Sequence, residues 1–267
     1  MAKLTGFITA ICLFYSQLTY AGSAQKTDIQ LPIEQVEVFA KNVEHYAANE
    51  GARAFIIARV GRPEAELPKG IKFTHTAIAV YSQISLESGE KVSGYAIHNL
   101  YQKEGELDKS ELVIDYPIDF FWGVNALKAG IIIPTADVQQ RIIEVIATGK
   151  DKQLHNENYS VIANPFNNRF QNCTEHTLNI INAGVYQTTD IAALKTNAKQ
   201  HFTAQRVKIN PMKLILGNLF VDDVSTKDHR GKIKTTTFTT IGKYLQENDL
   251  LAKAVVLENN GKATKLL

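Results

Sequence analysis

The chain has 267 residues, of which 45% are hydrophobic and 21% charged, and its formal net charge is +2. That composition can bury a real core and excludes wholesale disorder. The charge is too weak to imply nucleic acid, and the basic residues (Lys69, Lys72, Lys91, Lys103, Lys109) are scattered rather than striped, so no electrostatic footprint for a polyanion is expected.

In chain order, Met1-Ala2-Lys3 supplies a positive charge, Phe7 to Tyr15 is a short apolar run, and Ala21, Gly22, Ser23 and Ala24 are small. This is the three-part pattern of a secretory signal over residues 1–24, with cleavage after Ala21 or Ala24, and the run is too short to span a bilayer. Cys12 lies inside it and should leave with it. No later stretch is long and apolar enough to cross a membrane. The remaining residues, 25–267, are expected to form a single soluble domain that is periplasmic or secreted.

Pro32 sits where a first-turn proline belongs, and Val36, Phe39, Ala40, Val43 and Tyr46 recur at helical spacing until Gly51. Arg53 to Val60 reads as a strand. Glycines and prolines mark a loop from Gly61 to Gly70. Lys72 to Ser82 and Val92 to Tyr101 read as two strands joined by a hairpin turn at Glu87-Ser88-Gly89-Glu90. A charged loop, Lys103 to Ser110, leads into the apolar Leu112-Val113-Ile114. Asp115 to Val124 is aromatic and irregular, with Tyr116, Phe120, Phe121 and Trp122, joined by Tyr95 and Tyr101, as either core or the wall of a cleft. Ile131 to Pro134 is a buried strand, and Thr135 opens a helix bearing Val138, Ile142, Val145 and Ile146. Asn156 to Phe170 is a polar loop. Further on, Ile191 to Phe202 and Pro211 to Phe220 read as helices and Thr235 to Gly242 as a threonine-rich strand. Val221-Asp222-Asp223 and Asp228-His229-Arg230 read as a polar connection. The alternation is α+β.

Without the leader one cysteine remains, Cys173, in Gln171-Asn172-Cys173-Thr174-Glu175-His176. Exported proteins normally pair their cysteines or lose them, so a lone thiol is either buried packing or a nucleophile. Asn172 suits an N-cap with Glu175 three residues on, and Ala183-Gly184 suits the helix end. Cys173 then falls in the first turn, where unpartnered N–H groups and the helix dipole favour a thiolate and an oxyanion. The bland reading is a small buried hydrophobe.

A nucleophilic thiol needs a base. Strand alternation puts Phe73, His75, Ala77, Ala79 and Tyr81 on one face, the small alanines allowing a helix to approach His75. On the neighbouring strand, His98 and Asn99 face opposite ways, and either one could orient the His75 ring as third member of a Cys–His–polar arrangement. His176, one turn from Cys173, is a rival base or metal ligand. The paired close spacings of structural zinc sites are absent, so neither a metal nor a cofactor is expected.

Three of these segments, Thr74 to Val80, Gly94 to Tyr101 and Asn172 to His176, resemble the circularly permuted branch of the papain-like cysteine hydrolases. That branch includes the lecithin retinol acyltransferase-like proteins and permuted relatives of the NlpC cell-wall peptidases. More closely, nearly everything after the leader resembles a family of secreted bacterial proteins, domain-of-unknown-function family 2145, with similar stretches at Gly130 to Thr135 and Ser160 to Phe166. The resemblance implies a permuted papain-like α+β fold, an antiparallel sheet packed against a cysteine-bearing helix. It makes Cys173 the nucleophile and His75 the general base. His98 matches the second histidine of the acyltransferase-like pattern, Asn99 suits the asparagine of the unpermuted arrangement, and Gln171 is a candidate oxyanion donor. No hydrophobic tail follows the fold, so hydrolysis of a peptide or small-molecule amide is expected over acyl transfer to lipid. An exported compartment makes peptidoglycan a candidate substrate. The rival reading is a non-catalytic binding or scaffold module with a structural cysteine; a third is a redox-sensing thiol.

Overall fold

The computed structural model describes residues 30–85, 88–208 and 224–267. The proposed leader, the helix expected over Pro211–Phe220, the Val221-Asp222-Asp223 segment and Glu87 of the hairpin turn lie outside the described residues.

The described elements are the helices α1 (Ile33–Asn49), α2 (Pro117–Phe120), α3 (Ala136–Ala147), α4 (Lys150–Gln153), α5 (Cys173–Tyr186), α6 (Ile191–His201) and α7 (Phe238–Glu247). The strands are β1 (Ala54–Val60), β2 (His75–Ser85), β3 (Lys91–Lys103), β4 (Glu106–Asp115), β5 (Ala126–Pro134), β6 (Gln205–Arg206), β7 (Lys234–Thr235), β8 (Leu251–Glu258) and β9 (Ala263–Lys265). Seven strands form one antiparallel sheet in the order β4-β3-β2-β1-β5-β8-β9, and β6 pairs with β7. The molecule is therefore α+β.

The sheet is covered on both faces, and its central strand shows why. All seven residues of β1 are buried, the mark of a strand flanked on both sides rather than the half-buried alternation of an exposed sheet. Phe55 and Ile57 face α1 together with Ala77, Ala79, Tyr95, Ile97 and Ile131, against Val36, Phe39, Ala40 and Val43. Ala54, Ile56, Ala58 and Ile78 face the opposite way, towards apolar residues of α3, α5, α6 and α7. α1 presents its buried side chains at three- and four-residue intervals, and Gly51, at φ +68°, carries the chain out of the helix.

One close approach depends on glycine. A Cβ on Gly130 of β5 would lie 2.4 Å from Cε1 of Phe238 and 2.9 Å from Cζ of Phe73. The missing side chain lets the edge-to-face pair Phe73–Phe238 (centroids 4.9 Å apart, interplanar angle 66°) sit against the sheet.

The structure departs from the sequence expectations in three places. The charged stretch after Lys103 is not a long loop: it turns at Gly105 (φ +78°) and returns as β4, its charges being tolerable on an edge strand. The threonine-rich stretch is a helix from Phe238 on. Thr237 caps it, its Oγ1 accepting from Thr240 N while Thr240 Oγ1 accepts from Thr237 N, and Phe238, Ile241, Tyr244 and Leu245 make its buried stripe. The third departure is the pair of strands β8 and β9, which extend the sheet beyond β5.

Candidate functional site

α5 begins where the sequence motif places it. Asn172 has extended backbone, and its Oδ1 accepts from Glu175 N (2.9 Å) and from Thr174 Oγ1 (2.9 Å). Its Nδ2 donates to Val161 O (2.9 Å), tying the helix start to the preceding loop. Cys173 is the first helical residue. The cap consumes the Glu175 N–H, and the helix geometry itself gives the earlier N–H groups no acceptor within α5. Cys173 is 5% exposed and lines a cavity of about 300 Å³ with Thr74, Tyr159, Val161, Ile162 and Thr236 among its walls.

His75 follows Thr74, the wall residue opposite, and opens β2. Register decides which residue of β3 meets it. Ala79 pairs with Ile97 and Ile78 with His98, so Asn99 shares the face of His75 while His98 projects from the other. Asn99 Oδ1 lies 3.0 Å from His75 Nε2. The orientation of the carboxamide is set by its nitrogen, which donates to Ile97 O (3.0 Å) and to Asp115 Oδ2 (3.3 Å). An amide oxygen only accepts, so His75 Nε2 carries the proton and Nδ1 keeps the lone pair. That Nδ1 is buried without a hydrogen-bond partner among the described residues. Burial above all, and then the nearby Arg59 cation, hold the His75 pKa well below the usual imidazole range; the Asn99 bond opposes them. The ring is neutral.

Tyr101 joins the two candidate groups. Its ring stacks on His75 at 4.6 Å with an interplanar angle of 11°. The Tyr101 hydroxyl donates to Asp115 Oδ2 (2.5 Å) and is within electrostatic reach of the Cys173 thiol. Burial drives its pKa far above the ordinary phenol value, so it too is neutral. Arg59 closes the far side, its Nη1 donating to Phe120 O (2.5 Å) and its guanidinium lying 5.5 Å from the Tyr101 centroid. Sequence reasoning offered Tyr101 only as a wall of a cleft and missed Asp115 and Arg59. Alternation already set Tyr101 on the Asn99 face, a signal that was there to be used; Asp115 needed the β3–β4 register, in which it pairs with Ile97.

Five sequence candidates fall elsewhere. His98, proposed as a possible third member of the triad, projects from the opposite face of β3. Its electrostatic neighbours are Asp151, Lys152 and His176. His176 is buried with its ring centroid 6.2 Å from that of His155, and burial together with His155 pushes its pKa down to about 3. It is not among the residues lining the Cys173 cavity. Gln171 is wholly buried with both ends of its amide engaged: Oε1 accepts from Asn156 N (2.9 Å) and Nε2 donates to Leu154 O (2.9 Å). It braces the 154–156 loop and is not among the residues lining the Cys173 cavity. Phe120 and Phe121 pack in the core beneath α1 rather than walling the cavity. Among the described residues, no group of three or more His, Cys, Asp or Glu is placed to hold a metal ion, and no helix is long and apolar enough to cross a membrane.

Below the helix start, Glu175 is fully buried and ion-paired with Lys195 of α6, which also donates to Asn179 Oδ1 (3.2 Å). Burial outweighs the lysine and raises the Glu175 pKa to about 7. The pair pins α5 to α6.

Fold and site thus define an α+β protein with a seven-stranded antiparallel sheet and a cysteine at the head of a buried helix. The chain belongs to the family described as an uncharacterized protein conserved in bacteria (DUF2145), whose model matches residues 46–245 and so takes in His75, Asn99 and Cys173. No curated protein and no solved structure matches it.

Proposed function

We propose that the chain is a cysteine hydrolase of the amidase or peptidase type, exported, and built on a circularly permuted papain-like scaffold. Cys173 is its nucleophile, His75 its base and Asn99 the residue that orients the base. The observation that carries this reading is the bond from His75 Nε2 to Asn99 Oδ1, which leaves Nδ1 as the basic atom of a neutral imidazole. A thiol at a helix start, in a cavity whose wall includes the residue next to that histidine, supplies the nucleophile.

His75 Nδ1 takes the proton from Cys173 Sγ as the sulfur attacks the substrate carbonyl carbon. The carbonyl electron pair moves to oxygen, where N–H groups of the first turn of α5 receive it. The tetrahedral adduct collapses, the imidazolium gives its proton to the departing amine, and a thioester remains on Cys173. Water, deprotonated by His75, attacks the thioester; the acid leaves and the thiol recovers its proton. Because the resting imidazole has a depressed pKa, the ground state on this reading is a neutral thiol beside a neutral ring, and proton transfer accompanies attack. The cavity walls formed by Ile71, Phe73, Val161 and Val207 suit an apolar acyl substituent.

Burial favours one rival: His75 is 0% exposed and Cys173 only 5%, as in a non-catalytic module whose thiol and imidazole are packing elements. Alkylation of the folded protein by iodoacetamide at neutral pH separates them. Stoichiometric modification at Cys173, with loss of amide hydrolysis in Cys173→Ala, supports the enzyme. A thiol that reacts only after unfolding supports the packing role.

A further inference from the structure

Scattered along the sequence, Arg169, Lys199, Lys227, Arg230, Lys232 and Lys234 meet around one open groove of about 760 Å³. They come from the loop before α5, from α6, from the segment leading into β7 and from the first residue of β7, and all six are exposed. Among the described residues, none of the six has a carboxylate partner, whereas Lys103, Lys109, Arg141, Lys195 and Lys253 each do. The acid among the lining residues, Asp228, is turned inward. It is 8% exposed, accepts from Asn164 N (2.7 Å) and lies 3.2 Å from His229 Nε2. Six cations facing one concavity stand out in a chain whose net charge is +2. Like charges held this close repel one another, and an anionic ligand relieves that cost.

We propose that this groove binds an extended, base-free polyanion, a linear polymer of repeated phosphate groups. Three features select that class. Arg169 and Arg230 offer planar forks suited to phosphate oxygens, and Arg169 is steadied by its Nη1 bond to Lys227 O (2.9 Å). The concave shape suits a strand rather than the flat surface of a bilayer. The aromatic ring lining the groove, Phe166, is already covered by Lys234 (5.8 Å to the centroid), and the ring of Phe170, next in the chain to Arg169, is covered by that arginine (5.8 Å). Single-stranded nucleic acid depends on open aromatic faces for base stacking, which these rings do not offer. The proposal is independent of whether Cys173 is catalytic.

Titration of the protein with medium-chain polyphosphate, followed by calorimetry at several salt concentrations, tests it. Binding should weaken with salt at a log–log slope of roughly −4 if about six charges are neutralised at −0.7 each. The triple variant Lys227→Glu, Arg230→Glu, Lys232→Glu should lose at least about tenfold in affinity while melting at the same temperature. Lys41→Glu, Lys91→Glu, Lys262→Glu, with the same change in net charge at exposed positions elsewhere, should bind as the parent does. Equal losses in both triple variants would show a diffuse charge effect and overturn the groove. Absence of binding would overturn it as well. So would tighter binding to oligo-dT of matched charge, or binding only to phosphatidylglycerol vesicles, since those results assign the surface to nucleic acid or to membrane.

Discussion

Asn99 Oδ1 stands 3.0 Å from His75 Nε2, and the nitrogen of the same carboxamide donates to Ile97 O and Asp115 Oδ2. The asparagine is thereby locked, and it dictates the tautomer of the histidine. On the proposed hydrolase reading, substituting His75→Ala should slow hydrolysis and the neutral-pH alkylation of Cys173 by roughly 100-fold or more, the usual contribution of a positioned base. Asn99→Ala should slow both by a smaller factor. His98→Ala, on the opposite face of β3, should leave both rates unchanged. Alkylation kinetics of the three variants measure this directly, and a fall in His98→Ala as large as in Asn99→Ala would invert the assignment.

Acid should unfold the protein through its buried histidines. His176 titrates near 6.5 when unfolded and about 3 when folded, and His75 is shifted the same way. Between those values the unfolded chain binds more protons than the native one. The stability is thus fully present above pH 6.5 and drains away as pH falls through 3, by on the order of 5 kcal/mol for His176 alone. Glu175 acts with opposite sign: with a folded pKa raised to about 7, it favours the native state most below pH 4.5 and loses that contribution as pH rises to 7. The two offset one another between pH 4.5 and 6.5. Urea titrations of His176→Gln across pH 3–8 should show a flatter loss below pH 4.5 than the parent.

Gly130→Ala should destabilise the fold by about 1–3 kcal/mol, because the new methyl meets the Phe238 ring. Adding Phe238→Leu should return part of that loss, since it trims the side chain in the way. Denaturant midpoints of the single and double variants check the coupling.

Removing the cap of α5 tests how far the helix start governs the thiol. Asn172→Ala deletes the acceptor for Glu175 N and the donor to Val161 O and should cost about 1–2 kcal/mol. Asn172→Asp keeps the acceptor and should cost less. If Cys173 depends on a well-formed first turn, its alkylation rate should follow the same order, parent above Asp above Ala.

Local patterning made much of the architecture legible. Apolar spacing located α1, α3, α5 and α6 and strands β1 to β3, and the Asn172 cap was read correctly because capping depends on residues three apart. The helix at Phe238 was misread because threonine favours strands by propensity, while here its hydroxyls serve as caps. The first half of β4 was read as a loop because an edge strand carries charges that look like one.

What the sequence alone determined about this protein was whatever neighbours a few residues apart can express: a helix beginning at Cys173, a strand beginning near His75, and the opposed faces of His98 and Asn99. Tertiary structure decided which of those faces meets His75, that the Tyr101 ring stacks on the imidazole, and that six distant cations share one groove. Those outcomes turn on strand register and on loops returning from remote parts of the chain. Register is set by how a whole sheet buries its two faces, and no short stretch of residues carries that information by itself.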